Sequence, residues 1–198
     1  MSYSIDSITD DCYEGTTCLV NKFGIKNEKQ LSEIEADITF AKTSKLEEIP
    51  LKGNFDLEHY KSIHKFLFED IYPFAGLFRT ENIAKDYFQF AEWEYIESEL
   101  KKLLDELKSE NYLSGLSTDA FVKRLAYYWA ELNVLHPFRE GNGRTTREFL
   151  RQLTLKNNYI LNLKNVDAKV FLDAIIKSII DTDDLEKLLY KCIEFKKF

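Results

Sequence analysis

Apolar residues recur at steps of three and four along most of this chain. Between Glu28 and Ile49, Leu31, Ile34, Ile38 and Ala41 fall on one side of a helical turn, the spacing of an amphipathic helix. Residues 57–71 repeat it with Tyr60, Ile63, Phe66, Leu67 and Ile71, and Asn54 or Asp56 is placed to cap that helix. Residues 92–111 put Ile96, Leu100, Leu103, Leu104 and Leu107 on one face and charges on the other. Residues 117–135 open on Ser-Thr-Asp and are apolar nearly all round, which predicts a central, buried helix. Further helices are expected at about 144–157, 167–180 and 184–195.

Residues 72–92 break this period. Pro73 and Gly76 punctuate the segment, and the short pieces LFRTENI and YFQFA alternate. This predicts a loop with a β-hairpin at about 76–92, holding the only strands expected. No internal repeat or Ser/Gly linker interrupts the chain. The expected fold is therefore all-α: one domain over residues 1–198, a helical bundle carrying a small hairpin.

Composition narrows the function. A chain of 198 residues, 44% hydrophobic, suffices for one domain with a sizeable core. Lys and Arg total 27 against 34 Asp and Glu, a net charge of −7. Such a balance speaks against non-specific nucleic-acid binding, which needs clustered positive charge. Cys12, Cys18 and Cys192 are odd in number and show no CxxC or Cys/His metal spacing, so reduced thiols are expected. The first residues lack the basic and apolar regions of a signal peptide, and no run nears the roughly 18 apolar residues of a membrane span. A soluble, cytoplasmic protein without membrane contact is the expectation.

The chemistry concentrates in HPFREGNGRTTR, residues 136–147. Pro137 keeps His136 from continuing the preceding helix. The Gly141-Asn142-Gly143 turn opens the next helix, whose first amides lack internal partners and carry the positive end of the dipole, a ready phosphate cradle. Arg144 and Arg147, three apart, share a face, and guanidinium forks match phosphate oxygens. Glu140 is placed to hold Mg²⁺ among phosphates. His136 at the rim has an ordinary pKa suited to taking a proton from a hydroxyl. Nucleotidyl or phosphoryl transfer follows, and no Walker-type or GxGxxG motif competes for that role.

This stretch resembles the signature of the Fic family, His-Pro-Phe-x-Asp/Glu-Gly-Asn-Gly-Arg-x-x-Arg, at every specified position. YPFAGLFRT resembles the segment that opens the Fic flap hairpin, and NKFGIKNEKQLSEIEADI the entry to the first helix of short bacterial members. The resemblance implies a Fic-type bundle that transfers AMP from ATP to a hydroxyl side chain of a target protein. His136 would be the general base and Phe138 an anchor. Glu140 would hold Mg²⁺. Asn142, with the amides around Gly141 and Gly143, would form the anion hole. Arg144 and Arg147 would hold the β- and γ-phosphates. Doc-type kinases of the family carry Ala-Asn-Lys where this chain has Gly141-Asn142-Gly143, which favours AMP over γ-phosphate transfer.

The hairpin would pair with an extended stretch of the target, with Lys85 and Phe90 as its target-facing residues and Tyr87 as a self-labelling acceptor. The resemblance also implies a toxin acting on DNA gyrase or topoisomerase IV, restrained by a small antitoxin that carries an inhibitory helix. Two alternatives stand beside it. One is self-inhibition through Glu186 of TDDLEK, whose motif has Lys187 where Gly or Asn is wanted; DDCYEG, residues 10–15, fits that motif no better. The other is a catalytically silent, nucleotide-binding interaction module.

Overall fold

The computed structural model describes residues 4–5, 11–85 and 88–196. Seven α-helices dominate these residues. Helix α1 (Glu28–Glu48) starts where the Asn27 side chain accepts the Gln30 N–H and ends before Pro50. Helix α2 (Leu57–Phe68) is capped by Asp56, one of the two expected residues. Helices α3 (Ile96–Ser109) and α4 (Thr118–Leu135) follow, the latter capped by Ser117. Helices α5 (Asn142–Lys156), α6 (Ala168–Lys177) and α7 (Asp183–Cys192) complete the bundle.

Helix α4 is the central element that its all-round apolar pattern predicts. Phe121, Leu125, Tyr128, Trp129 and Leu132 are buried, and the helix packs against α3, α5, α6 and α7. Helix α2 lies across α5 and α1. The segment 136–147 thus joins two helices, α4 and α5, that are both packed into the core.

The strands depart from the sequence expectation. The hairpin is present but short, β2 (Ile83–Lys85) against β3 (Phe88–Gln89), with Ala84 facing Gln89 and Lys85 facing Phe88. Residues 86 and 87, Tyr87 among them, lie outside the described residues, as does Asp10 of the DDCYEG segment. A strand from the N-terminal region, β1 (Ser4–Ile5), pairs antiparallel with β2 and makes a three-stranded sheet of order β1-β2-β3. A second sheet joins β4 (Tyr159–Leu161) to β5 (Ile193–Phe195). The hairpin is thus not the sole β-structure. Three residues are too few to show a period of two, and β5 occupies the last turn expected of the final helix. That helix stops at Cys192 because the chain gains β-ladder partners and an edge contact between the Tyr159 and Phe195 rings.

Helix ends shift likewise. α2 stops at Phe68 rather than 71, α6 at Lys177 rather than 180, and α5 begins two residues before Arg144. The three cysteines are free thiols, and no helix among the described residues is long and apolar enough to cross a membrane.

Candidate active site

Helix α4 ends at His136, which takes a left-handed conformation (φ 43°, ψ 59°) while its N–H still bonds the Leu132 carbonyl. Phe138 then drives the loop into the core. Its fully buried ring stacks on His64 at 3.7 Å and on Tyr60 at 5.7 Å. The Asn142 side chain closes the loop from the other end, accepting from the Phe138 N–H at 2.8 Å and donating to the Phe138 carbonyl at 2.7 Å. These two bonds use the Asn142 Oδ1 and one of the two hydrogens on its Nδ2, so the side chain braces the turn whose backbone N–H groups are candidates to meet an anion.

Gly141 is required twice. Its φ of +82° favours glycine, and a Cβ there would stand 2.3 Å from the Phe68 ring. A Cβ on Gly143 would meet nothing within 4 Å, because this glycine opens on the cavity.

That cavity, of about 590 Å³, collects the signature. His136, Glu140, Gly141, Asn142, Gly143, Arg144 and Arg147 line one side; Trp129, Phe171, Leu172, Ile175, Ile176 and Ile179 line the other; Lys85, Phe88 and Phe90 reach in from the hairpin. A polar, cationic end beside an apolar wall is the shape of a nucleotide, phosphates at one end and base at the other. Glu186 is not among the lining residues. It stands in the first turn of α7 and accepts the Thr182 hydroxyl at 2.6 Å.

The His136 ring is buried and engaged by two neighbours. Its Nδ1 faces the Asn133 carbonyl at 3.1 Å and must carry the proton there, which leaves Nε2 as the basic nitrogen. The Phe90 ring stacks on the imidazole at 3.8 Å, so Phe90 packs the hairpin onto the signature loop. Burial lowers the pKa of His136 to about 3, and the cations of Arg79 and Lys85 push the same way. The near-neutral value expected from sequence is absent because the ring is 7% exposed; the histidine is neutral throughout the physiological range.

The two arginines differ. Arg144 pairs with Glu35 of α1 at 2.6 Å and more loosely with Glu140 at 3.5 Å, donates to Thr39, and lies over the Phe68 ring. Tyr72 donates to the other oxygen of Glu35. Among the described residues Arg147 forms no ion pair, and desolvation together with Arg144 holds its guanidinium below the ordinary arginine value. An uncompensated arginine beside another, open to a cavity, favours an incoming anion.

Glu140 is the carboxylate at the phosphate end; it also accepts the Gly141 N–H at 2.9 Å. Among the described residues no group of three or more His, Cys, Asp or Glu side chains forms a metal cage. One carboxylate completed by phosphate oxygens and water suits Mg²⁺, which keeps several waters and leans on its substrate. The donor set therefore fits Mg²⁺ arriving with a nucleotide.

Three residues to which the sequence reading gave no role support the loop. His64 donates to the Glu140 carbonyl at 2.9 Å and accepts the Gly76 N–H at 2.8 Å, joining the segment before the hairpin to the signature loop. Glu35 holds Arg144 from another helix. Arg79 is buried behind His136. Each acts across more than 50 residues of chain, so no local pattern shows what it touches, although Arg79 belongs to the YPFAGLFRT stretch.

A model of the Fic/DOC family matches residues 54–154. The chain belongs to that family. It is 39% identical over 176 residues to protein adenylyltransferase VbhT of Bartonella schoenbuchensis, covering 89% of this chain and 37% of that protein. It is also 39% identical over 168 residues to "Probable protein adenylyltransferase y4lH" of Sinorhizobium fredii, covering 84% and 86%. The chain thus spans little more than a third of the first relative and most of the second. Among solved structures, the BepC protein of Bartonella tribocorum with bound AMPPNP superposes with a TM-score of 0.87 at 27% identity, over 95% of this chain and 98% of that one.

Proposed function

We propose that this Fic-family chain is a protein adenylyltransferase, moving AMP from ATP to a hydroxyl side chain of another protein. One observation carries the reading. A neutral, oriented histidine, the N-terminus of α5 and the Arg144/Arg147 pair line a single cavity, to which Phe88 of the edge strand β3 also contributes. The relatives' names and the nucleotide in the BepC structure support it.

The chemistry follows from the placement. The acceptor oxygen bonds to the α-phosphorus as its proton passes to Nε2 of His136. The bond from that phosphorus to the bridging oxygen breaks, and pyrophosphate leaves. Backbone amides at Asn142 and Gly143 face the charge growing on the α-phosphate, and Arg144 and Arg147 hold the phosphates beyond it. Glu140 would hold Mg²⁺, which when bound offsets charge on the phosphate oxygens and the leaving group. The apolar wall of Phe171, Leu172 and Ile175 receives the base. An acceptor strand added along β3 brings its hydroxyl toward His136 through main-chain bonds.

The finer reading is a toxin whose target is DNA gyrase or topoisomerase IV and whose restraint is a separate antitoxin. The target rests on the family resemblance. The restraint is supported by Arg147, which no described carboxylate covers, and by Glu186, which is turned to Thr182.

Protein incubated with Mg²⁺ and α-labelled ATP in a bacterial lysate should label a discrete band that γ-labelled ATP does not. His136→Ala should lower that labelling by about 10²–10⁴-fold, the usual contribution of a general base. Label from the γ-position instead would make the enzyme a kinase. Purified gyrase or topoisomerase IV left unlabelled would remove them as targets.

A further inference from the structure

Arg79 is a buried cation, 3% exposed, and among the described residues no carboxylate hydrogen-bonds to it; Glu81 favours its charge from nearby. Its donors go instead to four backbone carbonyls. Nε donates to His136 at 2.9 Å, Nη1 to Glu81, and Nη2 to Ala91 and, at 3.3 Å, to Leu135. Its own N–H donates to the Pro137 carbonyl at 3.0 Å. Glu81 enters the hairpin and Ala91 leaves it; Leu135, His136 and Pro137 are the junction of α4 with the signature loop. Only a planar fork with five donors can serve carbonyls in so many directions at once. A buried charge is costly unless it is satisfied in this way.

The neighbouring contacts are consistent with a joint here. The Ala91 N–H donates to the Val134 carbonyl at 3.1 Å, and Arg139 of the signature loop pairs with Glu81 at 2.7 Å. Phe90, one residue before Ala91, covers the imidazole. His136 itself sits in a left-handed conformation that a non-glycine residue seldom adopts, so something must hold it.

We propose that Arg79 is a positioning residue for the transfer: one guanidinium ties both ends of the hairpin to the His136 carbonyl, so that an acceptor laid along the hairpin and the base that deprotonates it share one register. This rests on the transferase reading. Arg79 does not line the cavity; it acts through the backbone of its neighbours. Misplacement by about 1 Å costs on the order of 10²-fold in rate, so loosening this joint should slow transfer while the phosphate cradle, held separately by Asn142 and Phe138, keeps its affinity.

The test compares the unsubstituted chain with Arg79→Lys, which keeps the charge but not the fork, and with Arg79→Met. Three quantities are read: labelling of lysate proteins from α-labelled ATP, affinity for AMPPNP, and amide hydrogen exchange. Arg79→Lys should label at least ~10-fold more slowly, bind AMPPNP within about 2-fold of the original, and exchange β2 and β3 amides at least ~10-fold faster with α5 unchanged. If Arg79→Met does not fold, the lysine variant still decides. Labelling at the original rate would overturn the proposal, as would labelling and affinity falling in equal proportion. Unchanged hairpin exchange would overturn it whatever the enzyme transfers. An unsubstituted chain that labels nothing would sink the transferase reading instead, and exchange would still report on the joint.

Discussion

A histidine that takes a proton from a hydroxyl has to be unprotonated and held still. His136 is both, through burial, a carbonyl on Nδ1 and an aromatic lid. With its pKa lowered to about 3, it does not limit transfer at mildly acid pH, so the rate should show no acid limb near 6.5; a kcat/KM profile checks this. Stability should behave differently. His136 and His64 both have pKa values near 3 in the folded chain and near 6.5 unfolded. Between those values the unfolded state binds more protons, so this stability is complete above about 6.5 and is lost as the pH falls toward 3. Each histidine contributes a slope of up to ~1.4 kcal/mol per pH unit. Melting temperatures at pH 7, 6 and 5 should fall in that order.

At the scale of the element, α5 begins with two glycines that do different work. Gly141→Ala must place a methyl group on the Phe68 ring in a backbone conformation that alanine avoids, and should destabilise the fold by about 2–4 kcal/mol, measured by denaturant unfolding. Gly143→Ala meets no atom; it should fold as well as the original or slightly better, by up to ~1 kcal/mol, yet bind AMPPNP more weakly. Helix order and type were legible because each apolar stripe runs for ten residues or more. The three-residue strands were not, since Tyr159–Leu161 and Ile193–Phe195 become strands only by finding one another across the fold. Lys85 and Phe90, expected to face the target, both line the cavity, and the Phe90 ring stacks on His136.

For the whole molecule, the question is which charges meet in the cavity. Arg147→Ala should weaken AMPPNP binding by about 10-fold while leaving the melting temperature nearly unchanged, because it removes a guanidinium with no described ion pair that stands beside Arg144. Glu186→Gly should leave labelling unchanged, since the carboxylate is turned to Thr182 and lies off the cavity. A rise in labelling with that variant would show that Glu186 reaches Arg147 in solution, and the self-inhibited reading would return.

The sequence by itself determined the helical bundle, the central place of α4 and the concentration of candidate site residues in 136–147, because periodicity and a contiguous motif are local properties of the chain. Only the tertiary structure decided which distant groups complete the site. Glu35 reaches Arg144, His64 reaches Glu140 and Arg79 reaches His136 through contacts made after folding has closed long loops. The depressed pKa of His136 belongs to the same class, since burial is a property of what surrounds a residue. A one-dimensional pattern names the residue; the packed core sets its charge state and its aim.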